Sequence, residues 1–236
     1  MKIYYLLIIL LLIIGACEKQ SPNGGETVTM EKQLEQPVTV SLRTEDDQVI
    51  KALFYPNTNS KKGIILVHQF NKDKTSWTQW APLLQKTHNV LAIDLRGHGE
   101  SSGNHEEFLE EDFNNMKIDL KTASDYLQRK NIAPQGISYM GASIGANTVQ
   151  NYVSENTFDK AILLSPGINY KGIELNTQDN AVLIIVSKED TYSFKSVKEL
   201  EQTNKNSEYL YLENKGHGTD MVDEEIMKII INYLNK

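Results

Sequence analysis

The sequence predicts an α/β fold in which helices cover both faces of a mostly parallel sheet. Four of its apolar runs are rich in β-branched residues and lack polar alternation, which is typical of strands buried on both sides. From residue 62 onward these runs alternate with segments of helical periodicity, the signature of a doubly wound sheet. The 236 residues are 40% hydrophobic and 23% charged, the composition of an ordinary globular chain.

The predicted sheet opens with an antiparallel hairpin. Residues 38–43 alternate between apolar and polar, residues 48–54 form a second apolar run, and the acidic residues 45–47 indicate the turn between them. Buried strands are predicted at residues 64–67, 90–93, 161–164 and 182–186, a weaker strand at 136–142 and a last strand at 209–212. Helical periodicity indicates helices at residues 75–86, 115–130, 144–154, 194–203 and 221–234. We therefore expect about eight strands in one domain that spans residues 37–236.

The first 16 residues have the pattern of a secretory signal peptide. Lys2 supplies a positive charge, residues 3–14 form an apolar run with two tyrosines, and two small residues precede Cys17. The run is shorter than the roughly 20 residues of a membrane-spanning helix, although an uncleaved anchor helix is the alternative. Residues 14–17, Ile-Gly-Ala-Cys, resemble the lipobox of bacterial lipoproteins. This resemblance implies that Cys17 becomes a lipid-carrying N-terminus, the alternative being an ordinary small apolar residue.

The segment after the lipobox is predicted to be a flexible tether. Residues 17–36 are polar and glycine-containing, with too little apolar surface to fold alone. Cys17 is the only cysteine, so the domain has no internal disulfide. The expected location is a bacterial cell envelope, with the lipid joining the protein to a membrane. A net charge of −7 and scattered Lys and Arg argue against a nucleic-acid partner.

A glycine-flanked serine lies between a predicted strand and a predicted helix. The pentapeptide is Gly141-Ala142-Ser143-Ile144-Gly145. A serine on such a sharp strand-to-helix turn is strained, and side chains two positions away would collide with neighbouring backbone. The helix that begins there directs N–H groups at developing negative charge. This context favours Ser143 as a nucleophile.

Two further segments, together with this serine, resemble the α/β-hydrolase superfamily over residues 62–236. Residues 66–70, Leu-Val-His-Gln-Phe, resemble the loop after the family's third strand, and residues 93–101, Ile-Asp-Leu-Arg-Gly-His-Gly-Glu-Ser, resemble the loop after its fourth. The resemblance implies an α/β-hydrolase fold and the chain order nucleophile, acid, histidine. Gln69 departs from the family pattern, which usually has glycine there, and this puts the shape of the loop in question.

The implied order identifies the other members of a catalytic triad. His217 is the only histidine after Ser143 and is flanked by glycines. Asp190 follows the strand predicted at residues 182–186, and reactive groups gather at the carboxyl ends of parallel strands. Glu189 is its immediate competitor, and Asp220 is a weaker one. We therefore predict that His217 is the general base and that Asp190 is the acid that orients it.

The resemblance also implies an oxyanion hole and a role for the first loops. Its donors would be the backbone N–H groups of Ile144 and Phe70. His68 is expected to brace its loop, while Arg96 and His98 are expected to hold the turn after the fourth strand. No metal or cofactor is predicted, because no zinc-like or calcium-loop spacing occurs.

The predicted function is hydrolysis of a carboxylic ester or thioester by a serine hydrolase. Only residues 166–180 separate the sixth and seventh predicted strands of the sheet, which leaves room for a short loop or a turn of helix but not for a cap domain. The resemblance therefore suggests an open site for a small or exposed acyl substrate. The alternatives are a peptidase of the same fold and a lipid-anchored binding protein that keeps the fold without turnover. The oligomeric state stays open.

Overall fold

The computed structural model describes residues 34–175 and 181–236. The signal peptide predicted at residues 1–16, the lipidation site Cys17 and residues 17–33 of the predicted tether lie outside the described residues. No helix in the described ranges has the length and apolar character needed to cross a membrane.

An eight-stranded sheet organises the chain. Its strands are β1 Val38–Arg43, β2 Val49–Tyr55, β3 Gly63–Val67, β4 Asn89–Ile93, β5 Ile137–Ala142, β6 Ala161–Leu164, β9 Leu183–Ser187 and β10 Glu208–Leu212. Their order in the sheet is β1-β2-β4-β3-β5-β6-β9-β10. The antiparallel pairs are β1 with β2 and β2 with β4, and every other neighbouring pair is parallel. The sheet thus confirms the predicted α/β class, including the antiparallel start.

Within residues 34–175 and 181–236, six α-helices connect the strands or follow the last one. They are α1 Ala81–Gln85, α2 Glu110–Asn114, α3 Met116–Arg129, α4 Ile144–Val153, α5 Thr191–Thr203 and α6 Glu224–Leu234. A small antiparallel hairpin, β7 Asn169–Tyr170 and β8 Ile173–Glu174, lies between β6 and β9.

Two apolar cores lie on the opposite faces of the sheet. Successive residues of β3 alternate between them, since Ile65 packs with Leu120 of α3 and other residues of one core, whereas Ile64 packs with Ile230 of α6 and other residues of the second core. All five residues of β3 are buried. This double burial explains why the strand sequence is continuously apolar, as strands covered by helices on both faces require.

The structure differs from the predicted elements in several places. Helix α2 was not predicted, and helix α6 begins at Glu224, three residues later than predicted, because Asp223 caps it. The helix predicted at residues 75–86 is a 3₁₀ turn, Lys74–Trp77, followed by the short helix α1. Pro82 has no N–H to donate and is tolerated only in the first turn of a helix, so α1 begins at Ala81. Helix α5 begins at Thr191, three residues earlier than predicted, because Asp190 caps it. The segment after β6 contains the hairpin β7–β8 instead of a plain loop or a turn of helix.

Candidate active site

Ser143 occupies a strained turn between β5 and α4. Its backbone angles are φ 55° and ψ −120°, in a region that residues with a side chain rarely adopt. The Ser143 N–H donates to the carbonyl oxygen of Leu164 at the end of β6, at 2.8 Å. The residue is 4% exposed. This is the geometry that the glycine-flanked pentapeptide predicts, with the hydroxyl at the carboxyl edge of the sheet.

The two flanking glycines are required by close backbone contacts. A Cβ atom at position 141 would overlap the carbonyl group of Gly145. A Cβ atom at position 145 would lie 2.5 Å from the carbonyl oxygen of His68, in the loop after β3. The turn at Ser143 therefore packs directly against the loop that is expected to help form the oxyanion hole.

Asp190 and His217 form a direct hydrogen bond. The Nδ1 atom of His217 lies 2.6 Å from Oδ2 of Asp190, and Oδ1 of Asp190 accepts a bond from the backbone N–H of Ser193 at 3.3 Å. Burial acts to raise the pKa of Asp190, but the bonds from His217 and Ser193 outweigh it and hold the pKa below its ordinary value. The carboxylate is thus ionised at neutral pH, and it fixes the imidazole tautomer that leaves Nε2 free to accept a proton.

The two competing carboxylates have other positions. Glu189 accepts bonds from the Ser187 hydroxyl at 2.6 Å and from the backbone N–H of Asn214 at 2.7 Å. Asp220 lies in the 3₁₀ turn Gly218–Met221, and its backbone N–H donates to the His217 carbonyl. Asp190 is therefore the carboxylate that the fold pairs with His217.

Tyr170, on the hairpin β7–β8, lies beside His217 and interacts with Ser143. Its hydroxyl lies 2.9 Å from the Ser193 hydroxyl and interacts with that of Ser143. Its ring lies edge-on to the His217 imidazole, with 6.4 Å between the ring centroids. Burial raises the pKa of Tyr170 above its ordinary value, so the phenol keeps its proton. Sequence reasoning did not identify this residue.

The two expected oxyanion donors have free N–H groups. Ile144 is the first residue of α4, and Phe70 follows β3 by three residues. Among the residues that the structure describes, neither backbone N–H has a hydrogen-bond acceptor. The Phe70 ring packs edge-on against His105 and His98, with centroid distances of 5.0 and 5.4 Å. The structure thus leaves both donors available for a ligand oxygen.

Buried polar contacts brace the loops after β3 and β4. His68 is fully buried, with Nδ1 2.8 Å from the Gln69 carbonyl oxygen and Nε2 accepting from the Leu95 N–H at 3.0 Å. Burial lowers the pKa of His68, which keeps the ring neutral. Arg96 binds the buried Asp119 through its side chain and its backbone N–H. His68 and Arg96 therefore occupy supporting positions, as the sequence predicts for both.

His98 supports the turn after β4 from inside the protein. Its Nδ1 lies 3.0 Å from the Arg96 carbonyl oxygen, and its ring stacks on His105 with 4.3 Å between centroids. Burial lowers the pKa of His98 to about 4.

Within the described ranges, no group of three or more His, Cys, Asp or Glu side chains is arranged to hold a metal ion.

Comparisons with known proteins identify the sequence pattern and the fold. Residues 63–208 match the alpha/beta hydrolase fold family. A search of curated proteins found no match. Similar solved structures include the esterase Pf2001 of Pyrococcus furiosus, with a TM-score of 0.69 and 20% identity over 85% of this chain and 90% of that one. The esterase RhEst1 of a Rhodococcus species has a TM-score of 0.69 and 14% identity, with 84% of this chain and 98% of that one covered. The esterase EaEST of Exiguobacterium antarcticum has a TM-score of 0.68 and 14% identity, with 84% of this chain and 100% of that one covered. At these identities the structural likeness establishes a shared fold.

Proposed function

Because the chain belongs to the α/β-hydrolase fold family, we propose that it is a serine hydrolase that cleaves a carboxylic ester or thioester. The observation that carries the proposal is the 2.6 Å hydrogen bond between Asp190 and His217 at the sheet edge where the strained turn presents Ser143. A serine, a carboxylate and a histidine, in this chain order, are the groups with which this fold activates a hydroxyl for nucleophilic attack.

The reaction would proceed through an acyl-enzyme. Nε2 of His217 takes the proton of the Ser143 hydroxyl while Oγ attacks the carbonyl carbon of the substrate. The negative oxygen of the tetrahedral intermediate accepts hydrogen bonds from the N–H groups of Ile144 and Phe70. The imidazolium, stabilised by Asp190, returns its proton to the departing alcohol or thiol. Water then attacks the acyl-enzyme by the same steps and releases the acid and free Ser143.

The short connection between β6 and β9 favours a substrate with a small or exposed acyl group. The chain between β6 and β9 includes the hairpin β7–β8 and is too short for a separate cap domain. The three solved structures compared above are described as esterases. The short connection supports a short acyl group over a long acyl chain that needs a deep, enclosed tunnel, and the likeness to esterases supports an ester as the bond that is cleaved.

Active-site labelling tests the proposal directly. A fluorophosphonate probe should label the folded protein, and Ser143→Ala should abolish the labelling while circular dichroism stays unchanged. A panel of chromogenic esters, thioesters and amino-acid amides, with Ser143→Ala as the background, then ranks the reaction types. Preference for the amides would favour a peptidase. Folded protein that neither labels nor turns over any substrate would favour a binding protein that retains the fold.

We also propose that Cys17 carries lipid and anchors an exported protein to a bacterial membrane. The support is the sequence of residues 1–17, with one positive charge, an apolar run and Ile-Gly-Ala-Cys. Several acyl chains would anchor the protein stably, whereas one chain binds a membrane only marginally. Metabolic labelling with a fatty-acid analogue should mark the wild-type protein and not Cys17→Ser. Equal labelling of both proteins would refute the anchor.

A further inference from the structure

Gln69 makes a buried contact that connects two loops of the site. Its side-chain oxygen accepts hydrogen bonds from the backbone N–H of Thr219 at 2.7 Å and from the Thr219 hydroxyl at 2.9 Å. The two residues are 150 positions apart in the chain, and Gln69 is 7% exposed. Because the Thr219 backbone N–H can only donate, the carbonyl end of the Gln69 amide must face it.

The backbone of Gln69 is itself held in place. Its carbonyl oxygen accepts from the N–H of Lys72 at 3.1 Å and faces Nδ1 of His68 at 2.8 Å. His68 in turn accepts the N–H of Leu95 at the end of β4. The side chain of Gln69 therefore projects from a loop that is held by hydrogen bonds, and its contact with Thr219 holds the loop of His217 against that loop.

Three consecutive residues of the loop that carries His217 are fixed by three different strand ends. The His217 imidazole binds Asp190 after β9, and the Gly218 N–H donates to the Ser165 hydroxyl after β6 at 3.0 Å. Thr219 binds Gln69 after β3. Gly218 has φ +59°, and a Cβ atom there would overlap the side-chain oxygen of Gln69. Glycine at 218 and glutamine at 69 thus fit each other.

We propose that Gln69 is a positioning residue that sets His217 relative to the oxyanion donor on its own loop. This inference rests on the proposed serine-hydrolase function. Gln69 precedes Phe70, so a single side chain connects the segment that would bind the oxyanion with the segment that would move the proton. A glycine at position 69, which the family pattern usually has, cannot make this contact. Glutamine at position 69 therefore adds a hydrogen-bonded contact between the two loops that a glycine there would lack.

Gln69→Met tests this role, because methionine has a similar shape but offers no oxygen acceptor. We expect kcat to fall by about 10- to 100-fold, since misplacing a catalytic group by about 1 Å can cost about 100-fold. KM should change by less than about 3-fold, since the lost contact acts on the transition state rather than on substrate binding. Thr219→Val should give a smaller loss of kcat, because it removes only the hydroxyl bond to Gln69. Thr219→Ser keeps the hydroxyl and should keep the wild-type kcat.

Gln85→Met is the matched control. Gln85 is also buried, and its amide donates to the carbonyl oxygens of Glu35 and Pro56 at 2.8 Å each, away from the site. This variant should lose thermal stability and keep the wild-type kcat. Equal kcat losses in Gln69→Met and Gln85→Met would show that the loss reflects general destabilisation, and would overturn the proposal.

Amide hydrogen exchange separates this inference from the proposed function. In Gln69→Met the Thr219 amide should exchange up to about 10-fold faster than in the wild type, since the acceptor of its hydrogen bond is removed. If wild-type protein shows neither fluorophosphonate labelling nor turnover, the hydrolase function fails whatever the exchange result. If wild-type protein is active and Gln69→Met keeps both its kcat and its Thr219 protection, the positioning role is wrong.

Discussion

Two neighbouring carboxylates, Asp190 and Glu189, differ in what they contact. Asp190 accepts from the His217 imidazole and is almost buried, with 10% of its side chain exposed. Glu189 accepts instead from Ser187 and Asn214. A carboxylate that contacts the base both fixes the imidazole tautomer and stabilises its charge during the reaction. The neighbouring carboxylate has only the role of holding the turn.

Asp190→Asn should therefore reduce kcat by about 10³- to 10⁴-fold, because an amide neither stabilises the imidazolium nor selects the productive tautomer. The measurement is steady-state turnover of a short-chain p-nitrophenyl ester. Glu189→Gln is the control, since its amide oxygen can still accept the bonds from Ser187 and Asn214, and its rate should stay within about 3-fold of wild type. If Glu189→Gln loses more activity than Asp190→Asn, the assignment of the acid is wrong.

At the scale of secondary-structure elements, the strands were the most predictable part of the fold. Double burial forces continuously apolar sequences, and the predicted runs at residues 64–67, 90–93 and 161–164 lie within one residue of β3, β4 and β6. Helix α1 was less predictable, because its apolar periodicity gave no weight to Pro82. Periodicity reports which side of a segment is buried, whereas backbone chemistry decides where a helix can begin.

The hairpin β7–β8 and Tyr170 were missed for a different physical reason. Each of its strands has two residues, too few to produce an alternating pattern. The available signal was Gly172, because glycine readily adopts the positive φ that a two-residue hairpin turn requires. In the structure Lys171 has φ 55° and Gly172 has φ 86°. That Tyr170 contacts Ser143 depends on how the hairpin folds back onto the site, which no local pattern encodes.

Tyr170→Phe tests whether the hairpin takes part in catalysis. Removing the hydroxyl leaves the ring beside His217 and deletes the interactions with Ser193 and Ser143. We expect kcat to fall by up to about 10-fold, the equivalent of one hydrogen bond of about 1–1.5 kcal/mol. Tyr211 lies on the edge strand β10, and its hydroxyl donates to Glu201 of α5. Tyr211→Phe removes this hydroxyl and should leave kcat unchanged. Identical rates for wild type and Tyr170→Phe would limit the hairpin to a structural role.

For the whole molecule, the site is an assembly of strand ends that are distant in sequence. Ser143 follows β5, Asp190 follows β9, His217 follows β10, and Gln69 follows β3. The triad residues could be predicted from the chain order that the family resemblance implies and from their positions after predicted strands, because parallel strands bring their carboxyl ends to one edge. The Gln69–Thr219 contact could not, since it depends on the three-dimensional separation of two loops.

Acid should destabilise the whole fold partly through His88. Its Nε2 atom is buried without a hydrogen-bond partner among the described residues. Burial, assisted by Lys62, lowers the pKa of His88 from 6.5 to about 4. The unfolded chain therefore binds the proton first as the pH falls below 6.5. Stability is lost between pH 6.5 and about 4, by up to about 3 kcal/mol from this group, and does not change further below that range.

His88→Phe should remove this part of the pH dependence. Urea unfolding of both proteins at pH 7.5, 6, 5 and 4.5 measures it, and the two stability curves should converge or cross as the pH falls. His98, whose pKa is also lowered to about 4, is retained in the variant, so some acid sensitivity should persist. Parallel curves over the whole range would mean that His88 does not contribute.

The described chain enters the domain at the sheet edge opposite the site. The backbone carbonyl of Glu35 accepts from Gln85 at 2.8 Å, and β1 begins at Val38 opposite Phe54, near the starting ends of β3 and β4. Ser143, Asp190 and His217 all follow the finishing ends of parallel strands. A protein that begins at Leu34 should therefore retain kcat/KM within about 2-fold, since its core and site lie within residues 34–236.

A protein that begins at Thr44 provides the contrast. It lacks β1 and exposes the edge of β2, so it should unfold at lower temperature and lose activity with its structure. Ester turnover and thermal unfolding of both truncated proteins, beside the full chain, distinguish the two effects. Loss of turnover in the protein that begins at Leu34, with unchanged unfolding, would place part of the functional site in the first 33 residues. Retained turnover would show instead that residues 34–236 carry the whole reaction by themselves.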